Sequence, residues 1–265
     1  MKGMQPDFER PYRHVNVWLG IISVTILALM VMLVINNSIK DIKTRLRDNA
    51  QLVFQNTQEA LHASEHVLDG FQAYFKTVDV VDYRKLEEYS RTIRKEHPVI
   101  QMAQYMIRVE NSELPDFLRE RRLEGYATFQ VTEYDDNEFR SLIPVAERSV
   151  YYPLVFMDPM DIPSLSLLGF DALSSPLIRE AVDESIKHGR PRATRPFNLH
   201  NGGTGFMVIS PVYTAENLPE NKEKRYDLAT RLVAVVIKTD NILNSIEVDD
   251  NETLTYAYFD QDSKS

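Results

Sequence analysis

From Val17 to Ile35 the chain reads VWLGIISVTILALMVMLVI, with no charged residue. About 19 helical residues rising roughly 1.5 Å each match the ~30 Å apolar thickness of a bilayer. Asn36-Asn37-Ser38-Ile39-Lys40 follows where a cleaved signal would have small residues, so the run predicts an uncleaved membrane anchor. A cleaved signal or a buried core helix fits these flanks less well. Beyond the anchor, apolar residues fall at Ile39, Ile42, Leu46, Ala50, Val53, Leu61, Val67, Leu68, Phe71, Tyr74 and Phe75. Most are three or four apart, which predicts a long stalk helix with a continuous apolar stripe. Such a stripe serves packing on the helix's own domain, pairing with a second copy, or both.

From Val81 the pattern becomes mixed. Asp82 is placed to cap a helix that His97-Pro98 ends. A strand over Ile100–Val109 and a helix over Leu114–Leu123 follow, the helix stopped by Gly125. Alternation predicts strands at Thr128–Val131 and Tyr151–Phe156. Ser175-Pro176 reads as a hydroxyl cap and first-position proline for a helix that reaches His188 and stops at Gly189. Arg192–Leu199, Gly205–Tyr213 and Arg231–Lys238 read as strands, Asn217–Lys224 as a charged loop and Thr253–Phe259 as a last strand. Helices interspersed with antiparallel strands predict an α+β fold.

Composition narrows the functions. The 265 residues include no cysteine, which excludes disulfides, thiolate metal sites and a cysteine nucleophile. A net charge of -9 argues against a nucleic-acid partner. The head before the anchor is formally +1, so the remainder carries about -10. Lys2, Arg10 and Arg13 precede the anchor and Lys40, Lys43, Arg45 and Arg47 follow it, so charge alone leaves its orientation open.

Two short motifs are set aside. His62-Ala63-Ser64-Glu65-His66 fits an inverted zinc-peptidase pattern, but it lies on the stalk without an evident third ligand. Glu59-Ala60-Leu61 matches a cyclic-di-GMP phosphodiesterase signature only in name. No phosphate-binding loop, nucleophile elbow or dinucleotide fingerprint occurs. No catalytic residue, metal ligand or cofactor site is therefore assigned.

A longer constellation runs from Tyr151-Tyr152-Pro153-Leu154-Val155-Phe156 through Leu168-Gly169-Phe170-Asp171-Ala172-Leu173-Ser174-Ser175-Pro176 to Lys187-His188-Gly189-Arg190-Pro191. It continues through Pro196-Phe197-Asn198-Leu199 and closes at Gly205-Phe206-Met207-Val208-Ile209-Ser210-Pro211-Val212-Tyr213. This order resembles the CHASE domain, the extracytoplasmic sensor of cytokinin-receptor-like histidine kinases and bacterial GGDEF and EAL signalling proteins. The resemblance implies a long stalk helix followed by tandem PAS-like antiparallel-sheet subdomains, with the ligand pocket in the membrane-distal one. It carries a ligand-contacting aspartate onto Asp171, and pocket-lining positions onto Ala193 and Thr194. A carboxylate on a pocket wall accepts from ring N–H and amino groups, which suits an adenine-like or amine ligand.

The expected organisation is a cytoplasmic head (1–16), a transmembrane helix (17–35), a stalk (36–80) and a periplasmic or extracytoplasmic sensor (81–260). The expected function is small-molecule sensing at the inner membrane by a stalk-paired homodimer. Its output, a histidine kinase or a cyclic-di-GMP enzyme, is expected to lie outside this sequence, making the chain the front of a longer protein. The competing expectations are a membrane-anchored envelope enzyme and a structural envelope protein.

Overall fold

The computed structural model describes residues 10–78, 80–135, 141–200, 202–213 and 220–243. The chain divides into two units, Met1–Leu52 and Val53–Ser265. Helix α1 spans Arg10–Thr77. In the first unit every side chain from Val17 to Ile35 is exposed. Among the described residues α1 is the one helix long and apolar enough to cross a membrane. The hydroxyl of Thr25 donates to the carbonyl of Ile21 at 2.8 Å, satisfying a polar group that lipid could not.

The second unit begins with the rest of α1 and α2 (Tyr83–Glu96), whose N-cap Asp82 accepts from the N–H groups of Arg84 and Lys85. Next come β1 (Ile100–Ile107), β2 (Val109–Glu110), α3 (Leu114–Leu123), β3 (Thr132–Tyr134) and β4 (Leu142–Pro144). Strands β5 (Val150–Tyr151) and β6 (Leu154–Asp158) precede the short α4 (Ile162–Leu165) and a 3-10 turn, Ala172–Ser174. Helix α5 (Pro176–His188) leads into β7 (Arg192–Ala193), β8 (Phe197–Asn198) and β9 (Thr204–Tyr213). Helix α6 (Lys222–Leu228), β10 (Ala229–Lys238) and α7 (Thr239–Leu243) complete the described chain. The fold is α+β: a long apolar helix followed by antiparallel sheets.

The main sheet has the order β6-β1-β10-β9-β7, with β8 also paired to β9. Every pairing is antiparallel. Strand β10 is central and buried along nearly its whole length, which its unbroken run Leu232-Val233-Ala234-Val235-Val236-Ile237 requires. Side chains alternate between the two faces. Ala103, Tyr105, Phe206, Val208, Val233, Val235 and Ile237 pack with Val67, Leu68, Phe71 and Phe75 of α1 and Leu86 of α2. Met102, Met106, Met207, Ile209, Leu232, Ala234 and Val236 face the other way, toward Ile178, Val182 and Ile186 of α5. The Phe75 and Tyr105 rings stack at 4.3 Å. Gln72 of α1 donates to the hydroxyl of Ser210 on β9. Helix α2 is fixed to β6 by Arg94, which places Nε 2.7 Å and Nη2 3.1 Å from the Asp158 carboxylate, and by Ser90, whose hydroxyl donates to it at 2.9 Å.

Several elements differ from the sequence expectation. Thr128–Val131 forms no strand; β3 begins at Thr132. Phe129 and Val131 are buried, so their alternation is real, but the Phe129 N–H closes a turn onto Tyr126. Ile100–Val109 breaks at Arg108, whose N–H crosses to Thr230 at 2.8 Å. Tyr151–Phe156 is split between β5 and β6 at Tyr152-Pro153, where proline offers no N–H. Arg192–Leu199 splits into the two-residue β7 and β8 on either side of Pro196. Ser175 precedes α5 but its hydroxyl makes no capping bond. The charged stretch expected as loop contains the start of α6, capped by Asn221 onto Glu223 N–H at 2.8 Å. The strand expected at Thr253–Phe259 lies outside the described residues.

Gly169 holds the segment that crosses from α4 to the sheet. Its N–H donates to Leu154 at 2.7 Å and its carbonyl accepts from Thr132 at 3.0 Å. Its φ is +90°, and a Cβ would lie 2.0 Å from the Gln130 carbonyl. Gly169→Ala is expected to cost about 3 kcal/mol or more in urea unfolding, because it combines a left-handed backbone with a clash against main chain. A loss below about 1 kcal/mol would show that this close approach is not required.

Candidate functional site

The sheet face turned toward α5 is not completely filled. Between it, the N-terminus of α5 and the segment around Phe170 lies a cavity of about 230 Å³. Strand β1 supplies Gln101, Met102, Gln104 and Met106 to its wall, and Met207 and Val236 come from β9 and β10. Tyr134, Leu154, Phe170 and Ala172 form one side, and Ser175 with Leu177 and Ile178 of α5 another. Phe197, Asn198, Leu199 and His200 close the remaining edge, near Ser164 and Leu167. Among the described residues the wall contains no Asp, Glu, Lys or Arg. Aliphatic side chains, the thioethers of Met102, Met106 and Met207 and the rings of Tyr134, Phe170 and Phe197 make most of it, giving an adaptable apolar surface with a few polar points.

The register explains why adjacent β1 residues both reach the cavity. The pairing with β10 shifts between Ile100 and Met102, leaving Gln101 as the extra residue of a bulge. A bulge locally re-aims a side chain that strict alternation would send to the opposite face.

Asp171 is not among the side chains that line this cavity, although Phe170 and Ala172 on either side of it are. Its carboxylate is fully buried. Oδ1 accepts from Tyr152 N–H at 2.8 Å and Leu173 N–H at 3.2 Å, capping the 3-10 turn. Oδ2 faces Arg148 Nη1 at 3.4 Å, and Arg148 also donates to Glu133 at 2.6 Å. Burial pushes the Asp171 carboxyl above the usual carboxylate range, opposed by the Tyr152 and Leu173 N–H groups and then by Arg148 and Arg179.

Ala193 and Thr194 lie on a different, smaller recess of about 190 Å³ between α5 and β7. Ala193 is exposed, whereas the buried Thr194 hydroxyl accepts from Met207 N–H at 3.0 Å. The three residues carried over from the resemblance therefore do not converge on one cavity. Gln101, Gln104, Ser175 and Asn198 are lining residues that sequence reasoning missed. The available signal was two glutamines inside the otherwise apolar run Ile100-Gln101-Met102-Ala103-Gln104-Tyr105-Met106-Ile107.

The main sheet thus carries a long helix on one face and a small, largely apolar cavity on the other. The CHASE domain family model matches residues 79–265, and the chain belongs to the CHASE domain family. Among solved structures, the chain is similar to the ligand-binding domain of the Pseudomonas aeruginosa PAO1 amino acid chemoreceptor PctC in complex with GABA. That similarity has 16% sequence identity and a TM-score of 0.42, covering 78% of this chain and 69% of that one. No curated protein matches the chain.

Asp171→Ala leaves the buried Tyr152 N–H without its acceptor and is expected to cost about 2–3 kcal/mol. Asp171→Asn keeps an acceptor oxygen and is expected to stay within about 1 kcal/mol of the parent. The folded chain holds the Asp171 proton more tightly than the unfolded chain. Its contribution is therefore greatest below the ordinary carboxylate pKa and declines as pH rises through the folded-state value. Denaturant unfolding between about pH 3.5 and 7 should show Asp171→Asn gaining stability relative to the parent as pH rises. A difference that does not move with pH, or moves the other way, contradicts this assignment.

Proposed function

We propose that the chain is the sensory part of a membrane-anchored signalling receptor, with its sensor domain on the periplasmic or extracytoplasmic side. A small molecule occupies the cavity between the main sheet and α5, and α1 reads its presence. The observation that carries this reading is the alternation in β1, β9 and β10. Met102, Gln104 and Met207 face the cavity, while Ala103, Tyr105 and Val208 of the same strands belong to the core that seats α1 and α2. Occupancy that shifts these strands changes the seat of α1 through a single layer. The available shift is bounded by the ligand's differential affinity for the two packings.

Asp171 serves the site by fixing the wall that Phe170 and Ala172 contribute, and Ala193 with Thr194 shapes the neighbouring recess. Residues 17–35 anchor the receptor, and 36–80 form the stalk. Two copies pair along the stalk stripe, of which Ile39, Ile42 and Leu46 are exposed. Paired stalks give the two alternative packings such a switch needs. The output is a cytoplasmic histidine kinase or a cyclic-di-GMP enzyme.

The test is a thermal-shift screen of uncharged heterocycles, amines and small acids on the full chain in nanodiscs. A compound at a hundred times its Kd is expected to stabilise the fold by about 2.7 kcal/mol. Leu167→Trp, at a half-buried position that lines this cavity and not the recess beside Ala193, should abolish that shift while leaving the unliganded circular dichroism unchanged. Hits that survive Leu167→Trp would place binding elsewhere.

A further inference from the structure

Three polar side chains on the cavity wall have no strong partner among the described residues. Gln104 lies in the middle of β1 and is about nine-tenths buried, with 9% of its surface exposed. Its Nε2 donates only to the thioether of Met102, at 3.3 Å, and sulfur in that form is a weak acceptor. Gln101, turned by the bulge, lines the same cavity. Ser175, just before α5, lines it too, and its hydroxyl makes no capping bond. A buried carboxamide without a full partner is costly. In a native fold such a group calls for a partner outside the chain.

Among the described residues the same wall contains no Asp, Glu, Lys or Arg, and its one histidine, His200, is exposed at the edge with Nε2 3.2 Å from the Ser166 hydroxyl. A carboxylate, phosphate or ammonium group entering it would lose its hydration with no permanently charged side chain on the described wall to replace it. A carboxamide presents a donor and an acceptor side by side, which matches a neutral partner with the same two functions adjacent. Methionines at 102, 106 and 207 supply polarisable contacts suited to a flat ring beside that edge.

We infer that Gln104, assisted by Gln101, is the specificity-determining residue of this cavity, and that it selects an uncharged, single-ring-sized ligand carrying an adjacent hydrogen-bond donor and acceptor. This rests on the reading of the cavity as the ligand site. On binding, the Gln104 carboxamide exchanges its contact with Met102 for a paired bond to the ligand edge.

The experiment uses three probes of one shape and different charge, namely benzamide, benzoate and benzamidinium. Saturation-transfer NMR on the full chain in nanodiscs measures their affinities for the parent, Gln104→Leu and Leu167→Trp. Benzamide is expected to bind at least about tenfold more tightly than either ion, and Gln104→Leu to weaken it about tenfold. If Gln104→Leu fails to fold, Gln101→Leu replaces it, with a weakening in the same direction expected. Equal binding of the three probes, or benzamide affinity unchanged by these glutamine variants, overturns the inference. An ionic compound whose binding is lost in Leu167→Trp overturns it while leaving the cavity reading intact. Absence of any Leu167→Trp-sensitive binding removes both.

Discussion

The constraint on which the second unit depends is that its main sheet is apolar on both faces. Strand β10 carries Leu232, Ala234 and Val236 into one core and Val233, Val235 and Ile237 into the other. Because the side-chain period is two, slipping this strand by one residue would exchange the two sets and spoil both cores together. Register is thus doubly fixed, and the seat of α1 and the cavity wall are built from the same strands. The sheet joins the candidate site to the helix and also covers each from the other.

Around that layer, polar groups hold the parts that apolar packing leaves loose. Asp158 gathers Arg94 and Ser90, attaching α2 to the edge strand β6. Asp171 gathers two main-chain N–H groups and Arg148, attaching the Phe170–Ala172 segment beside the cavity. The two carboxylates are nearly or fully buried and engaged, as buried ionisable groups must be. The amides of Gln101 and Gln104 are the contrast: they are placed on the cavity wall and left weakly engaged. This difference separates side chains that build the wall from those available to a ligand.

Much of this was legible in the sequence. The long helix that carries the apolar run, the Asp82 cap and the helix between Pro176 and Gly189 each follow from local periodicity or end chemistry, and the structure contains them. Local alternation failed where long-range partners decide. Thr128–Val131 alternates because Phe129 and Val131 are buried, yet its backbone turns instead of pairing. Helix α6 escaped notice because Lys222–Leu228 has almost no apolar period, its start being set by Asn221. Asp171 was noticed by resemblance, but which way its carboxylate points depends on Tyr152 and Arg148, about twenty residues away. The cavity was illegible, since it arises where elements far apart in sequence fail to fill one sheet face. Its only local trace was a pair of glutamines in a buried strand.

The most direct test is amide hydrogen exchange on the full chain in nanodiscs, with the cavity empty and with it occupied by a compound whose binding Leu167→Trp abolishes. Peptides covering Ala60–Phe75 of α1 report the helix seat, and peptides of β1 and α5 report the cavity. Occupancy is expected to change protection in both places, because one sheet serves both. Protection that rises around β1 and α5 while Ala60–Phe75 exchanges at its unliganded rate would contradict it.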